Sequence, residues 1–294
     1  MIWCVTLNPA LDVTYRLPEE LGLDAVNLAD AMDARLGGKG NNVARVVKAL
    51  GAPVTAVEIL GGSVGEALVH NAVSHGMEIL SEPILDDSRI CLTLIGPHGS
   101  VTELRPPGPL VAKETANRLL DALRGRVGPN DWVTISGSLP RGLGAETYGR
   151  WVKALKPQVA GVIVDASGAA LLGAVPEGPT AIVPNRSEYE AVASALPPGV
   201  TEVVVTDGDK GVEWHRSSGG VQRWRAPRVQ ALNPVGAGDT FLGALVVHLQ
   251  AKRPWPQAIR EGMACASASV ETLGVASFDW GRAQELLGQI EEES

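Results

Sequence analysis

The chain has 294 residues, enough for two ordinary domains or one large α/β domain. With 45% hydrophobic and 20% charged residues it has the balance of a folded chain, which excludes general disorder. Its 33 acidic and 25 basic residues leave a net charge of -8, and aromatics are only 4%. That excludes a global basic footprint for nucleic acid and a stacking surface for single strands, so an anionic ligand needs a local positive pocket.

Three cysteines, Cys4, Cys91 and Cys265, are odd in number and far apart. They fit neither a disulfide framework nor a zinc site and point to a reducing cytosol. The five histidines show no metal-ligand spacing. No apolar run is long enough to span a membrane, and the start MIWCVTLNPALD lacks the basic region and cleavage pattern of a secretory signal. The expected location is the cytoplasm.

In chain order, short apolar runs predict strands at Ile2–Leu7, Val54–Leu60, Ile90–Ile95, Trp132–Ser136, Gly161–Asp165, Ala181–Pro184 and Glu202–Thr206. Runs such as VIVD and VVVT fit strands covered on both faces. Helical spacing joins Val43, Val46, Val47 and Leu50, then Leu119, Leu120 and Leu123, then Phe241, Leu245 and Leu249. The alternation implies a mostly parallel sheet with helices on both faces. Segments 11–36 and 88–106 break the rhythm. DVTYRL at 12–17 alternates, and 88–105 reads as two strands around a Pro-His-Gly-Ser turn. We therefore expect a main αβα domain over 1–10, 37–87 and 107–294, and a small β-sheet lid from 11–36 and 88–106.

Five motifs can carry chemistry. Asn233-Pro234-Val235-Gly236-Ala237-Gly238-Asp239-Thr240 leads into the Phe241–Leu249 helix. Small residues let the backbone approach a ligand, helix-start amides bind anions, and an Asp there can take a proton from an attacking hydroxyl. The plain alternative is a glycine-rich loop with Asp239 as helix N-cap. No GxxxxGK[ST] occurs, so this is not a Walker-type loop. Gly37-Gly38-Lys39-Gly40-Asn41-Asn42 can bind an anionic or hydroxylated substrate, or can be a tight turn with an Asn cap and a solvated Lys39. Ser136-Gly137-Ser138-Leu139-Pro140 follows a strand but is no GxSxG elbow. Asn185 and Glu188, in Pro184-Asn185-Arg186-Ser187-Glu188, can order magnesium through water or can form a capping box. Thr206-Asp207-Gly208-Asp209-Lys210-Gly211 reads first as a hairpin turn, and at a strand end it can border a nucleotide.

Together and in this order the motifs resemble the phosphofructokinase B (PfkB) family of the ribokinase-like superfamily. Thr6-Leu7-Asn8-Pro9-Ala10-Leu11-Asp12 with GGKGNN at 37–42 is similar to its 1-phosphofructokinase and tagatose-6-phosphate kinase branch. The resemblance implies a ribokinase-like three-layer αβα sandwich, a β-clasp lid that pairs two copies as a homodimer, and transfer of the γ-phosphoryl group of MgATP to a sugar hydroxyl. It leaves room for a monovalent cation. It implies Asp239 as catalytic base and Gly236, Ala237 and Gly238 as anion hole. Asp12, Gly38 and Asn42 would hold sugar hydroxyls, and Lys39 and Arg89 the acceptor's own phosphate, with Ser138 nearby. Asn185 and Glu188 would order magnesium and the ATP phosphates, Glu188 through water. Thr206, Asp207, Gly208 and Gly211 would border ATP. Glu103 stands where the fructose-6-phosphate branch tends to carry Arg, which points away from fructose 6-phosphate and toward the 1-phosphofructokinase and tagatose kinase branch; the expected acceptor is fructose 1-phosphate. Tagatose 6-phosphate and fructose 6-phosphate are the alternatives. A catalytically silent nucleotide-binding regulatory protein is the alternative of another class.

Overall fold

The computed structural model describes residues 1–196 and 201–293. In chain order the first elements are β1 (Ile2–Thr6), β2 (Ala10–Arg16), β3 (Ala31–Gly37), α1 (Lys39–Ala49), β4 (Val54–Gly61), α2 (Gly62–Ser74), β5 (Glu78–Ile84), β6 (Arg89–Ile95) and β7 (Val101–Leu104). The middle of the chain gives α3 (Lys113–Arg124), β8 (Trp132–Ser136), α4 (Glu146–Leu155), β9 (Gly161–Asp165), α5 (Gly168–Ala174), β10 (Ala181–Ile182) and α6 (Arg186–Val192). Then come β11 (Glu202–Thr206), β12 (Val212–His215), β13 (Val221–Arg225), α7 (Ala237–Gln250), α8 (Trp255–Val270), α9 (Trp280–Leu287) and β14 (Glu291–Glu293).

The main sheet has ten strands in the order β14-β13-β12-β11-β10-β9-β8-β1-β4-β5. From β11 to β5 every neighbouring pair is parallel, while β12, β13 and β14 add an antiparallel edge. Strand alternation sends side chains to two cores. Ile2 and Cys4 of β1 join Val43 and Val47 of α1, Leu68 of α2 and Leu245 of α7 on one face. Trp3 and Val5 join Leu119 of α3, Trp151 of α4 and Leu171 of α5 on the other. Apolar burial on both faces is why these strands read as continuous hydrophobic runs.

A second sheet, of four strands in the order β3-β2-β6-β7, stands apart from the first. Its β6–β7 hairpin turns through Pro97–Gly99, as the Pro-His-Gly-Ser motif predicts. The strand expected at Ala181–Pro184 is only Ala181–Ile182. Four main-sheet strands were not foreseen. β5 carries Pro83 and a half-exposed pattern, features that an edge strand tolerates. β12, β13 and β14 are short and rich in charge: Arg225 pairs with Glu293 across the outer edge, and Trp214 stacks between Trp224 and Trp255 beneath it. Charged side chains on an exposed edge oppose pairing with another chain.

Candidate active site

Parallel strands of an open α/β sheet leave a crevice at their carboxyl ends, and ligands collect there. Here the ends of β1, β8, β9, β10 and β11 deliver Asn8, Ser138, Asp165, Asn185 and Thr206 to one polar cavity of about 500 Å³. The small sheet contributes Asp12 and Arg89, and the starts of α1 and α7 contribute Gly38, Lys39, Asn42, Gly236, Gly238 and Asp239. A larger cavity of about 1020 Å³ adjoins it, sharing Thr206 and Gly238. Its lining is mostly apolar, with Val212, Val229, Phe241, Met263 and Val270, and it takes in Gly208, Gly211 and Ala237.

The start of α7 is built by glycine. Gly236 caps the helix at φ 82°, a left-handed conformation that side-chain-bearing residues rarely adopt. Asp239 is therefore third in the helix and not its N-cap. Among the described residues the amides of Gly236, Gly238 and Asp239 donate to no protein acceptor, while the Ala237 amide reaches the Pro234 carbonyl at 3.3 Å. Two of the three expected anion-hole amides, those of Gly236 and Gly238, are thus free, and Ala237's is turned into the loop. Free amides at a helix start form an anion site.

Asp239 is 7% exposed, and its Oδ2 accepts a 2.7 Å hydrogen bond from Asn42 Nδ2. Burial, then the nearby Asp165 charge, pushes its carboxyl up to about 6, against the pull of Lys39, Asn42 and Arg45. Lys39 is part-exposed but not a free cation: its ammonium lies 2.8 Å from Asp165 Oδ1, and the Asp165 charge raises its pKa against the cost of burial. Neither Asn of the GGKGNN motif caps α1. The N-cap is Gly38 at φ 98°, where an added Cβ would meet Thr6 Cγ2 at 2.9 Å. Asn41 donates instead to the Gly37 carbonyl.

Asp12 lies against Gly37, where a Cβ would overlap its carboxylate. Burial pushes the Asp12 carboxyl up, opposed by Arg105 and then Arg89. Arg89 donates through both terminal nitrogens to main-chain carbonyls, to Pro106 at 3.1 Å and Asn8 at 2.9 Å, and its buried Nε has no partner among the described residues. Ser138 Oγ accepts from Asn8 Nδ2 at 3.1 Å.

At the other side Asn185 and Glu188 form a complete capping box, and both also line the polar cavity. Two expected site residues are not brought in. Asp207 lines neither cavity, because Arg186 holds its carboxylate at 3.1 Å. Glu103 also lines neither: it grips Arg105, and Arg105 is the member of that segment that reaches the cavity. Among the lining residues that the sequence motifs do not single out are Asn8, Asp165 and Arg105. Asn8 lay unassigned in TLNPALD. Asp165 closes the VIVD strand, and the rule that ligands gather at strand carboxyl ends would have found it. Arg105 had no signal in sequence beyond being a cation near a lid hairpin.

The polar cavity thus holds Asp12, Asp165, Glu188 and Asp239 against Lys39, Arg89 and Arg105. Four carboxylates and three cations give no net positive field, so an anionic ligand here must lean on free amides or bring a cation with it. The family model described as pfkB family carbohydrate kinase matches residues 6–280.

The chain belongs to the pfkB family of carbohydrate kinases. The kinase is similar to phosphofructokinase-2 from Escherichia coli solved with potassium, at 26% identity and TM-score 0.90 over 98% of each chain. It is similar to the same Escherichia coli protein in complex with fructose-6-phosphate, at 26% identity and TM-score 0.87 over 98% of each chain. A structure described as a possible 1-phosphofructokinase from Thermotoga maritima shares its fold, at 22% identity and TM-score 0.84, covering 100% of this chain and 99% of that one. The ribokinase-like αβα sandwich with a separate small sheet is therefore the fold, and the chain is an ATP-dependent sugar kinase of the pfkB family whose structural neighbours include phosphofructokinases. Kinases of this family use ATP and a divalent metal.

Proposed function

We propose that the kinase phosphorylates a phosphorylated ketohexose, with fructose 1-phosphate as acceptor and fructose 1,6-bisphosphate as product. The observation that carries this reading is Asp239: a buried carboxylate, held by Asn42, one residue beyond the free Gly238 amide. Asp239 takes the proton of the acceptor hydroxyl as that oxygen bonds the γ-phosphorus and the β–γ bridge breaks, releasing ADP. The Gly236 and Gly238 amides stabilise the charge on the transferring group. Such transfer has a loose transition state, so positioning and charge stabilisation dominate. A carboxyl pushed up to about 6 remains ionised at neutral pH and is a better proton acceptor than an exposed Asp.

The apolar cavity suits a nucleoside, with Thr206, Gly208 and Gly211 at its edge and its phosphates toward Gly238. Asn185 and Glu188, both in the polar cavity, would hold magnesium through water; that ion would offset the phosphate charge the four carboxylates oppose. Asp12 and Asn42 suit sugar hydroxyls. The small sheet, spanning parts of 11–36 and 88–106, acts as a lid that keeps water from the phosphoryl group. Removing its β6–β7 hairpin should raise ATP hydrolysis relative to sugar phosphorylation. The lid also exposes Leu23, Val26, Leu28, Met32, Val101 and Leu104, an apolar set suited to pairing with a second copy as a homodimer. Sedimentation of the chain and of a Val26→Glu variant tests that pairing.

Fructose 6-phosphate is the second reading, favoured by the likeness to the Escherichia coli protein that binds it. ADP production with MgATP and a panel of fructose 1-phosphate, tagatose 6-phosphate, fructose 6-phosphate, fructose and ribose decides between them. A kcat/KM preference for fructose 1-phosphate is the expected result. Preference for another acceptor replaces it. ATP binding without turnover of any acceptor would favour the silent regulatory protein.

A further inference from the structure

Arg105 follows β7 at the mouth of the polar cavity. Its Nε donates to Glu103 Oε2 at 3.1 Å and its Nη2 to Glu103 Oε1. This fixes one edge of the planar guanidinium, and a fork fixed on one edge presents the remaining nitrogen in a set direction. Nη1 has no partner among the described residues. Arg105, Arg89 and Asp12 line the same cavity.

The other two cations of the cavity are differently engaged. Lys39 is ion-paired with Asp165, and Arg89 uses both terminal nitrogens to tie Pro106 to Asn8. Arg89 is thus first a clasp between the small sheet and the β1–β2 turn, with only its Nε left unpartnered. Among the described residues, Arg105 alone of the three has a terminal nitrogen with no protein acceptor.

We propose that Arg105 makes this cavity select a phosphorylated acceptor: Glu103 grips one edge of its guanidinium, and the free Nη1 takes an oxygen of the phosphate the acceptor already carries. Glu103 is then a positioning residue acting through Arg105, which accounts for its lying outside the cavity. The inference rests on the phosphosugar-kinase reading above and names the group that enforces it. The competing account is an exposed ion pair on a strand end, which would contribute little to anything.

The test compares wild type, Arg105→Ala, Arg105→Lys and Glu103→Ala. Initial rates are measured with fructose 1-phosphate, tagatose 6-phosphate, fructose 6-phosphate and fructose, and calorimetric titration with fructose 1-phosphate, inorganic phosphate and MgATP. A charge-assisted contact to phosphate contributes enough that its loss weakens binding about 10–100-fold. Arg105→Ala should raise KM for the phosphorylated acceptor by that factor, with kcat within about threefold and MgATP binding unchanged. Arg105→Lys should recover part of the loss, and Glu103→Ala should raise the same KM by less than Arg105→Ala does. A merely structural role would lower thermal stability without separating phosphorylated from unphosphorylated ligands.

If wild type turns over a phosphosugar and Arg105→Ala does so with the same KM, the inference is overturned and the kinase reading stands. If wild type turns over only fructose, both fall. Were nothing turned over, Arg105-dependent binding of inorganic phosphate or fructose 1-phosphate would uphold the inference against the reading, and binding indifferent to Arg105 would overturn it.

Discussion

Asn42 Nδ2 donates to Asp239 Oδ2 at 2.7 Å across a sequence separation of 197 residues. The bond ties the first turn of α1 to the first turn of α7, so the residue expected to hold the acceptor and the residue expected to deprotonate it are one unit. A hydrogen bond to the ionised form stabilises that form, while burial and Asp165 oppose it.

Replacing Asp239 by Asn should separate activity from stability. Loss of the proton acceptor is expected to lower kcat by about 10²–10⁴-fold, the usual weight of a general base, with MgATP affinity retained. Stability should rise. The folded pKa of about 6 lies above the reference 3.8, so Asp239's contribution to stability is fully present below pH 3.8 and lost as pH rises through 6. At pH 7.5 the ionised carboxylate therefore costs up to about 3 kcal/mol that Asn does not. Denaturant unfolding beside steady-state rates checks both; a less stable variant would contradict the shift.

The acid limb of the pH–rate profile should fall near pH 6, tenfold per pH unit below it, because the base must be ionised. Two substitutions should move it in opposite directions. Asn42→Ala removes a bond to the carboxylate and should shift the limb to higher pH. Asp165→Asn removes a like charge and should shift it to lower pH. Profiles of kcat/KM for the three chains test this; parallel shifts would show that Asp239 does not set the limb.

Glu188→Gln should leave folding intact while weakening metal use. Gln can still accept the Asn185 amide, so the capping box at α6 survives and Tm should change little. The lost charge should raise the free magnesium needed for half-maximal rate several-fold. Rates against free magnesium at fixed ATP give the answer. An unchanged requirement would remove Glu188 from the metal's surroundings.

Glu58 offers a stability test away from catalysis. It is fully buried on β4, both carboxylate oxygens lack a partner among the described residues, and burial pushes its carboxyl up to about 8. Its contribution to stability is present below pH 4.5, the reference value, and lost as pH rises through 8. Glu58→Gln should stabilise the chain at pH 8.5 by about 2–4 kcal/mol and flatten its alkaline loss of stability. Unfolding at about pH 4 and about pH 8.5 measures the difference, which should nearly vanish at the lower value.

Sequence reading reached the parallel strands because a strand covered on both faces must be apolar along its length, as VIVD and VVVT are. It reached the β6–β7 hairpin through turn chemistry, and the glycines of GGKGNN and VGAGD through the backbone freedom that Gly38 and Gly236 use. It did not reach β12, β13 and β14, whose alternation is short and whose cross-strand ion pairs exist only once the strands meet.

What the sequence alone determined was therefore local: which segments must be buried, where the backbone must turn, and that Asp239 opens a helix. Tertiary structure decided everything that depends on a partner distant in the chain. It placed Asp165 against Lys39, although Lys39 alone reads as a solvated cation. It brought Arg105 to the cavity and left Glu103 outside it, gripping Arg105 from the same side of the chain. It moved Asp239 from an ordinary acid to one near 6, because a carboxyl's proton affinity is set by burial and neighbouring charge, and neither exists until the chain has folded.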